Sequence, residues 1–189
     1  FRTCPGQLAA TALATCLGHQ LLADDFEKSI QALEWRNIGP FYGGRGTSVV
    51  GHPTDPNIFY FGHSSGGLWK SEDAGAYWIP VGDGQFRYAS VGAIALHAKN
   101  PDIMYVGLGE PQMRQSCSWG DGVYKSTDGG ATFVNVGLRD THHISEVLTH
   151  PTDPDVAYVA SQGHLWGHTG EKGIYKTEDG GRTWRLLAG

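Results

Sequence analysis

Gly122-Val-Tyr-Lys-Ser126-Thr-Asp128-Gly-Gly130-Ala-Thr-Phe133 is the middle of three copies of one pattern. The others are Gly67-Leu-Trp-Lys-Ser71-Glu-Asp73-Ala-Gly75-Ala-Tyr-Trp78 and Gly173-Ile-Tyr-Lys-Thr177-Glu-Asp179-Gly-Gly181-Arg-Thr-Trp184. Each residue type has a mechanical use in a tight turn. The Asp carboxylate accepts backbone N–H bonds from its own turn, Gly permits positive φ, and the aromatic that follows fills space beside the sheet. The first copy carries Ala74 and Tyr77 where the other two carry Gly and Thr, which predicts a looser hairpin there.

The likeness extends upstream of each turn. Thr47-Ser-Val-Val-Gly-His52-Pro-Thr-Asp-Pro56, Gly92-Ala-Ile-Ala-Leu-His97-Ala-Lys-Asn-Pro101 and Ser145-Glu-Val-Leu-Thr-His150-Pro-Thr-Asp-Pro154 align, and each is followed by a short apolar run such as Ile103-Met-Tyr-Val106. Matching histidines are 45 and 53 residues apart and matching aspartates 55 and 51, periods that suit a four-stranded propeller blade. Short alternating runs broken by Pro, Asn, Asp and 28 glycines read as antiparallel strands and turns. The expected fold is all-β, a partial β-propeller of three four-stranded blades at about 47–82, 92–137 and 145–188. Residues 1–34 form an arm, with a short helix N-capped by Asp24 or Asp25 and an apolar face of Phe26, Ile30 and Leu33. Trp35-Arg-Asn-Ile-Gly39 fits the template of the fourth strand of each blade yet precedes the first blade, so it reads as a closing strand whose partner blade lies beyond Gly189. His52, His97 and His150, at one repeated position ahead of a turn, read as structural imidazoles bonded to backbone.

With its Ser/Thr-x-Asp-x-Gly-x-Thr-Trp turns, the chain resembles the Asp-box, or BNR-repeat, β-propeller superfamily over roughly four fifths of its length. Trp35-Arg-Asn-Ile-Gly-Pro40 with Gly43-Gly-Arg45 is similar to bacterial sortilin-like, VPS10-related exported proteins of the glycosyl-hydrolase-like kind. The superfamily includes sialidases, xyloglucanases, sortilin-type receptors and a photosystem II assembly factor, so the resemblance implies the fold more firmly than any one activity. It assigns a structural turn role to Ser71, Asp73, Gly75 and Trp78, to Ser126, Asp128, Gly130 and Phe133, and to Thr177, Asp179, Gly181 and Trp184.

Function has to be sought where the repeats differ. Two units carry long insertions between their second and third strands, Gly107 to Gly120 and Gln162 to Lys172, which leave the same edge of the ring. Glu110, Arg114, Trp119, His164, Trp166 and His168 in these loops are the binding candidates, since Trp and Arg in exposed loops are typical anchors. The bland alternative is that they pack on one another as a lid. His142, His143, His164 and His168 lack a carboxylate at metal-ligand spacing, and neither a metal nor a cofactor is expected. Glycoside hydrolysis needs two carboxylates across a cleft, one desolvated. Glu110 with Asp121, or Asp83 with Asp140, can be nominated, but no spacing selects a pair, and of the arginines a sialidase requires only Arg45 is suggestively placed.

A net charge of −5 with 14 basic residues leaves no track for nucleic acid, and Leu8 to Leu17 is about half the apolar length a membrane-spanning helix needs. That segment behind Arg2 has the outline of a signal sequence, and Leu13-Ala14-Thr15-Cys16 that of a lipobox with an atypical Thr. Cys4 and Cys16 are either bridged or incidental thiols, or Cys16 is lipidated, with Cys117 left free. The reading these features favour is a non-catalytic interaction or scaffold module, exported and extracytoplasmic, either periplasmic or secreted, with the N-terminal arm as an optional route to membrane association. It docks through its rim loops and open blade edge on another protein, on missing C-terminal blades or on the extracytoplasmic face of a membrane complex. The alternative is the N-terminal part of a carbohydrate-active glycoside hydrolase propeller.

Overall fold

Twelve strands account for the regular structure of the residues that the computed structural model describes, 44–167 and 170–189. The arm with Cys4 and Cys16, the Asp24/Asp25 helix, the Trp35 to Gly39 strand and His168 lie outside the described residues. The strands group in chain order into three antiparallel four-stranded sheets. The first contains β1 (Gly46–Gly51), β2 (Phe59–His63), β3 (Leu68–Ser71) and β4 (Ile79–Val81), and the second β5 (Val91–Leu96), β6 (Met104–Leu108), β7 (Val123–Ser126) and β8 (Val134–Gly137). The third contains β9 (His143–Thr149), β10 (Ala157–Gly163), β11 (Gly173–Thr177) and β12 (Arg185–Ala188). Among the described residues there is no helix, so the all-β expectation holds. β1 touches β5 and β5 touches β9, so the first strands of successive sheets gather on one side while the later strands lead away, as blades do around an axis.

Second strands run further than the sequence suggests. β6 continues to Leu108 and β10 to Gly163, into stretches read as loop, because a bulge lets the ladder resume: Val91 pairs with Leu108, and His143 pairs with Gly163.

Two apolar seams hold the blades together. Tyr60 and Leu68 of the first sheet pack with Val91, Ile94, Met104, Val106, Leu108, Tyr124 and Phe133 of the second. Ala93, Ala95, Tyr105 and Val123 on its other face pack with Ile144, Val147, Ala157 and Val159 of the third. Each fully buried Leu, Ile or Val in such a seam contributes about 1.5–3 kcal/mol. Close approach depends on missing side chains: a Cβ at Gly62 would lie 2.5 Å from Val91 Cγ1, and one at Gly107 2.4 Å from Ile144 Cγ2.

The repeated turns close β3 to β4, β7 to β8 and β11 to β12 by one scheme. Asp128 Oδ1 accepts from the Ser126 hydroxyl and from the Thr132 N–H, at 2.7 and 2.9 Å, while its Oδ2 accepts from the Thr132 hydroxyl at 2.5 Å. Asp179 repeats this with Thr177 and Thr183. Gly129 and Gly180 sit at φ 68° and 75°, and their N–H groups donate to Asp102 O and Asp155 O in the turn between the first two strands. In the first blade Asp73 keeps the bonds to Ser71 and to the Tyr77 N–H, but Tyr77 offers no equivalent hydroxyl, and Ala74 takes φ 59° where a glycine stands in the others. A left-handed alanine costs about 1 kcal/mol.

At the opposite strand ends of the same rim, the repeated histidines work as acceptors. His52 Nδ1 accepts from the Asp55 N–H at 3.0 Å, His97 Nδ1 from Asn100 at 3.0 Å and His150 Nδ1 from Asp153 at 3.1 Å, which fixes each ring's proton on Nε2 when neutral.

Gly92 is the tightest point of the second seam, since a Cβ there would meet Ile144 O at 2.2 Å and Gly109 O at 2.4 Å. Gly92→Ala is expected to lose about 3 kcal/mol in urea unfolding, whereas Gly84→Ala, with open space around its Cβ, loses about 1 kcal/mol for its positive φ alone. Asp128 and Asp179 are held down to a pKa of about 2, chiefly by the Thr132 and Thr183 hydroxyls, against an ordinary 3.8. The stabilisation they give is therefore present above pH 3.8 and lost as the pH falls towards 2. Carboxyl chemical-shift titration should find these two aspartates ionised below pH 3 and Asp73, lacking the hydroxyl, less depressed.

Candidate functional site

An up-and-down order of four strands sends alternate connections to opposite rims. The Ser/Thr-x-Asp turns and the histidine turns share one rim, and the other receives every connection between second and third strands together with the links between sheets. Both long insertions open on this second rim, along with Ser64–Gly67, Gly82–Ser90 and Leu138–His142.

Glu110 anchors the larger insertion. Its backbone N–H donates to Ser118 O at 3.0 Å, closing residues 110–118 into a loop whose interior holds the Cys117 thiol, in contact with Gln112 O and with both N–H and O of Arg114 at 3.1 Å. The Glu110 side chain turns inward, is 1% exposed, and takes a two-pronged contact from Arg45, Nε to Oε1 at 2.8 Å and Nη2 to Oε2 at 2.5 Å. His143 Nδ1 lies 2.8 Å from Glu110 O; a carbonyl only accepts, so the imidazole proton is on Nδ1. One residue of the second blade thus ties the strand entering the first blade to the strand opening the third. The Arg45 guanidinium holds the Glu110 carboxyl below the usual carboxylate range, and burial pushes His143 below the ordinary imidazole value.

Consecutive histidines on an extended chain point to opposite sides. While His143 is buried, His142 lies in a stack of three rings: Trp119 on one side at 4.7 Å between centroids and 25° between planes, His164 at 3.5 Å and 17°. These rings come from three separate connections. With His143, Cys117, Gln115, Leu165 and Trp166 they line a cleft of about 390 Å³ between the second and third blades. Trp119 is 57% exposed and Trp166 71%. Cys117 and Trp119 also line a neighbouring cavity of about 420 Å³ between the first and second blades, completed by Ser64, Ser65, Tyr88, Ala89, Ser90 and Ser118. Ser64 Oγ is buried there without a hydrogen-bond partner.

Of the residues singled out in sequence, Trp119, His164 and Trp166 meet at the cleft. Arg114 is exposed on the same loop but lines neither cavity, and Glu110 lies beneath the loop. His142, Ser64 and Tyr88 were missed. Only the His142-His143 doublet gave a signal, through the alternation that buries one ring and frees the other. Of the nominated carboxylates, Asp121 is 4% exposed and accepts from the Tyr124 hydroxyl at 3.2 Å and from Arg139 at 3.4 Å, and Asp83 and Asp140 are exposed. None is a desolvated carboxyl free to carry a proton to a leaving group. Among the described residues no group of three or more His, Cys, Asp or Glu could hold a metal ion, and no helix is long and apolar enough to cross a membrane.

No family model matches the chain. It is 28% identical over 98% of its length to an oligoxyloglucan-reducing end-specific xyloglucanase of Emericella nidulans, of which it covers 23%. It is also 28% identical over 76% of its length to a xyloglucanase of a Paenibacillus species, of which it covers 15%. The chain thus spans less than a quarter of the length of these relatives. Among solved structures it is similar to an ancestral GH74 enzyme, with TM-score 0.63 and 22% identity over 83% of this chain and 20% of that one. The GH74 xyloglucanase of Xanthomonas campestris gives TM-score 0.57 and 22% identity over 81% and 22%. YCF48 of Cyanidioschyzon merolae gives 0.53 and 20% over 82% and 40%. The three sheets are blades of a β-propeller.

Arg45→Ala leaves the Glu110 carboxylate buried and unpaired. Breaking a buried ion pair costs about 3–5 kcal/mol, and because Arg45 is 43% exposed the expected loss is nearer 2 kcal/mol. Since the Glu110 pKa is depressed, the pair's contribution is present above about pH 4.5 and lost below it. Urea unfolding of wild type and Arg45→Ala should therefore differ at pH 7 and converge as the pH falls towards 3.

Proposed function

We propose that this chain is part of a carbohydrate-active β-propeller of the glycoside hydrolase type, and that the rim around Trp119 binds an uncharged glycan. The observation that carries this reading is the lining of the two cavities. They share one exposed indole, add a second in Trp166, and offer hydroxyls from Ser64, Ser65, Tyr88, Ser90 and Ser118. No Asp, Glu, Lys or Arg lines either of them. Flat aromatic faces against C–H-rich sugar faces, with hydroxyls to exchange hydrogen bonds, suit a neutral polysaccharide better than a phosphate, a nucleic acid or a charged peptide. Relatives named as xyloglucanases favour a β-glucan backbone.

Glu110 and Asp121 are engaged in structural contacts, so the described rim supplies grip and alignment, and the acid and base of a hydrolase come from elsewhere in the protein. In this reading the Ser/Thr-x-Asp turns support an Asp-box class of propeller, and the resemblance carried by Trp35 to Pro40 with Gly43-Gly-Arg45 supports kinship with the sortilin-like branch. A polysaccharide ligand and an outline of a signal sequence at Leu8 to Leu17 both fit an exported protein.

A protein-docking role is the second reading. The third sheet exposes Leu148, Ile174 and Leu186, and Leu148 and Ile174 match in the repeat Ala95 and Val123, which pack in a seam in the second sheet. A further blade or another protein fits such a face, and a solved propeller similar to this chain is described as YCF48 bound to D1 peptide.

Titration calorimetry with xyloglucan oligosaccharides should give saturable binding that weakens tenfold or more, about 1.4 kcal/mol, in Trp119→Ala and in Trp166→Ala. Arg114→Ala, off the lining, should change affinity less than twofold. Equal affinity of the two Trp variants and wild type, or no uptake of neutral glucans, mannans or xylans, overturns the glycan reading.

A further inference from the structure

Arg45, Ser90 and His143 occupy one position in the repeat, seven residues ahead of His52, His97 and His150, at the entry to the first strand of each blade. Where the later histidines repeat a single residue type, this position offers a guanidinium, a hydroxyl and an imidazole. All three converge on the base of the second-blade insertion. Arg45 takes both oxygens of the Glu110 carboxylate, at 2.8 and 2.5 Å. Ser90 accepts from the Gly109 N–H at its carbonyl, at 2.8 Å, and donates its hydroxyl to Ser118 O at 3.3 Å. His143 donates from Nδ1 to Glu110 O at 2.8 Å. Each group suits what it meets: a forked donor for a carboxylate, and single donors for carbonyls.

Glu110 and Ser118 are in turn bonded to each other twice. The Glu110 N–H donates to Ser118 O at 3.0 Å, and the Ser118 N–H donates to Glu110 Oε2 at 3.4 Å. Trp119 is the next residue, and Gly120 after it is held through its N–H to His142 O at 2.9 Å. The peptides on both sides of Trp119 are therefore fixed, while the indole itself is 57% exposed. With so much of the ring in solvent, the direction of the Cα–Cβ bond, set by the flanking backbone, decides which way it points. A binding group whose supports are loose loses affinity even though it is present.

The burial of Glu110 points the same way. Replacing a buried ion pair by apolar residues is often neutral for stability. A carboxylate that is 1% exposed and paired with Arg45 is thus better accounted for by what it fixes in place than by what it adds to folding. What it fixes is the base of the loop that ends in Trp119, the one aromatic wall that the two cavities have in common.

We propose that Glu110, mounted on Arg45, Ser90 and His143 from three successive blades, is a positioning residue for ligand on this rim: it sets the direction of Trp119. Its bearing on affinity rests on the glycan reading, whereas its hold on Trp119 does not.

Two measurements on the whole chain test it, the first without ligand. After labelling with fluorotryptophan, the fluorine NMR signal that disappears in Trp119→Phe reports this ring. Arg45→Ala and Glu110→Ala should each shift and broaden that signal, and Thr183→Ala, which loosens a turn on the opposite rim, should leave it in place. If Arg45→Ala does not fold, Arg45→Lys takes its place, because lysine keeps the charge without the fork and should still move the signal. The second measurement is affinity for xyloglucan oligosaccharides. Arg45→Ala should weaken binding about fivefold in the otherwise wild-type chain and less than about twofold in Trp119→Ala, since substitutions that act through one contact are not additive. An unmoved Trp119 signal in both rim variants overturns the proposal, as does an equal shift in Thr183→Ala, or a loss of affinity in Arg45→Ala that is the same with and without Trp119. Absence of oligosaccharide binding counts against the glycan reading alone, because the fluorine signal still decides whether Glu110 holds Trp119.

Discussion

The construction depends on how closely one sheet can approach the next. At Gly62 and Gly107 the outer face of a blade lacks a side chain, and the first-strand residues Val91 and Ile144 of the following blade fill the space, their methyl carbons 2.5 and 2.4 Å from where a Cβ would stand. Backbones brought this near make the rest possible. Thr47 Oγ1 reaches across the first seam to Val91 O at 2.6 Å, and Thr149 Oγ1 reaches Leu96 O across the second at 3.0 Å. On the functional rim the same closeness lets Gly109, with a Cβ position 1.9 Å from His142 O, and Gly120, whose N–H donates to that same carbonyl, lay the second-blade insertion directly on the entry to the third blade. Without the tight seam, Trp119 and His142 would not stack.

Order in the molecule is divided between the two rims. One is repetitive and locally satisfied: Asp128 and Asp179 have both carboxylate oxygens bonded within their own turns, each repeated His accepts from its own turn, and the Gly129 and Gly180 amides join one kind of turn to the other. Because these bonds close within one blade, they stabilise it without reference to its neighbour. The opposite rim adds to its local loop bonds a set of contacts between blades, through Arg45, Glu110, His143 and the ring stack. Its geometry therefore depends on how the blades sit against one another.

This division explains what was legible in the sequence. Asp128 with Thr132, or His97 ahead of Asn100, is a local relation, and three copies in register make it visible, so the all-β architecture could be read directly. The degenerate first copy was visible for the same reason: Ala74 at φ 59° and the missing hydroxyl at Tyr77 are single-residue departures from a repeated template. Arg45 and Glu110 are 65 residues apart with no template linking them, and nothing in the chain announces that Glu110 turns inward while Trp119, nine positions later, remains exposed. The ring stack escaped notice because its members lie on three connections that become neighbours only when three sheets have packed.

Where the carboxylates went decides what the rim can recognise. Glu110 and Asp121 begin and end the large insertion, and either could have faced the cleft; each instead meets an arginine, Arg45 and Arg139, one below the loop and one beside it. Withdrawing them leaves a surface of two indoles, a half-buried phenol, imidazoles and serine hydroxyls, with the buried Ser64 oxygen still lacking a protein partner. No Asp, Glu, Lys or Arg side chain lines it to orient a ligand, so selectivity falls to ring faces and hydroxyl positions. The proposed neutral glycan is the kind of ligand that such a lining can select, by the spacing of its flat faces and hydroxyls.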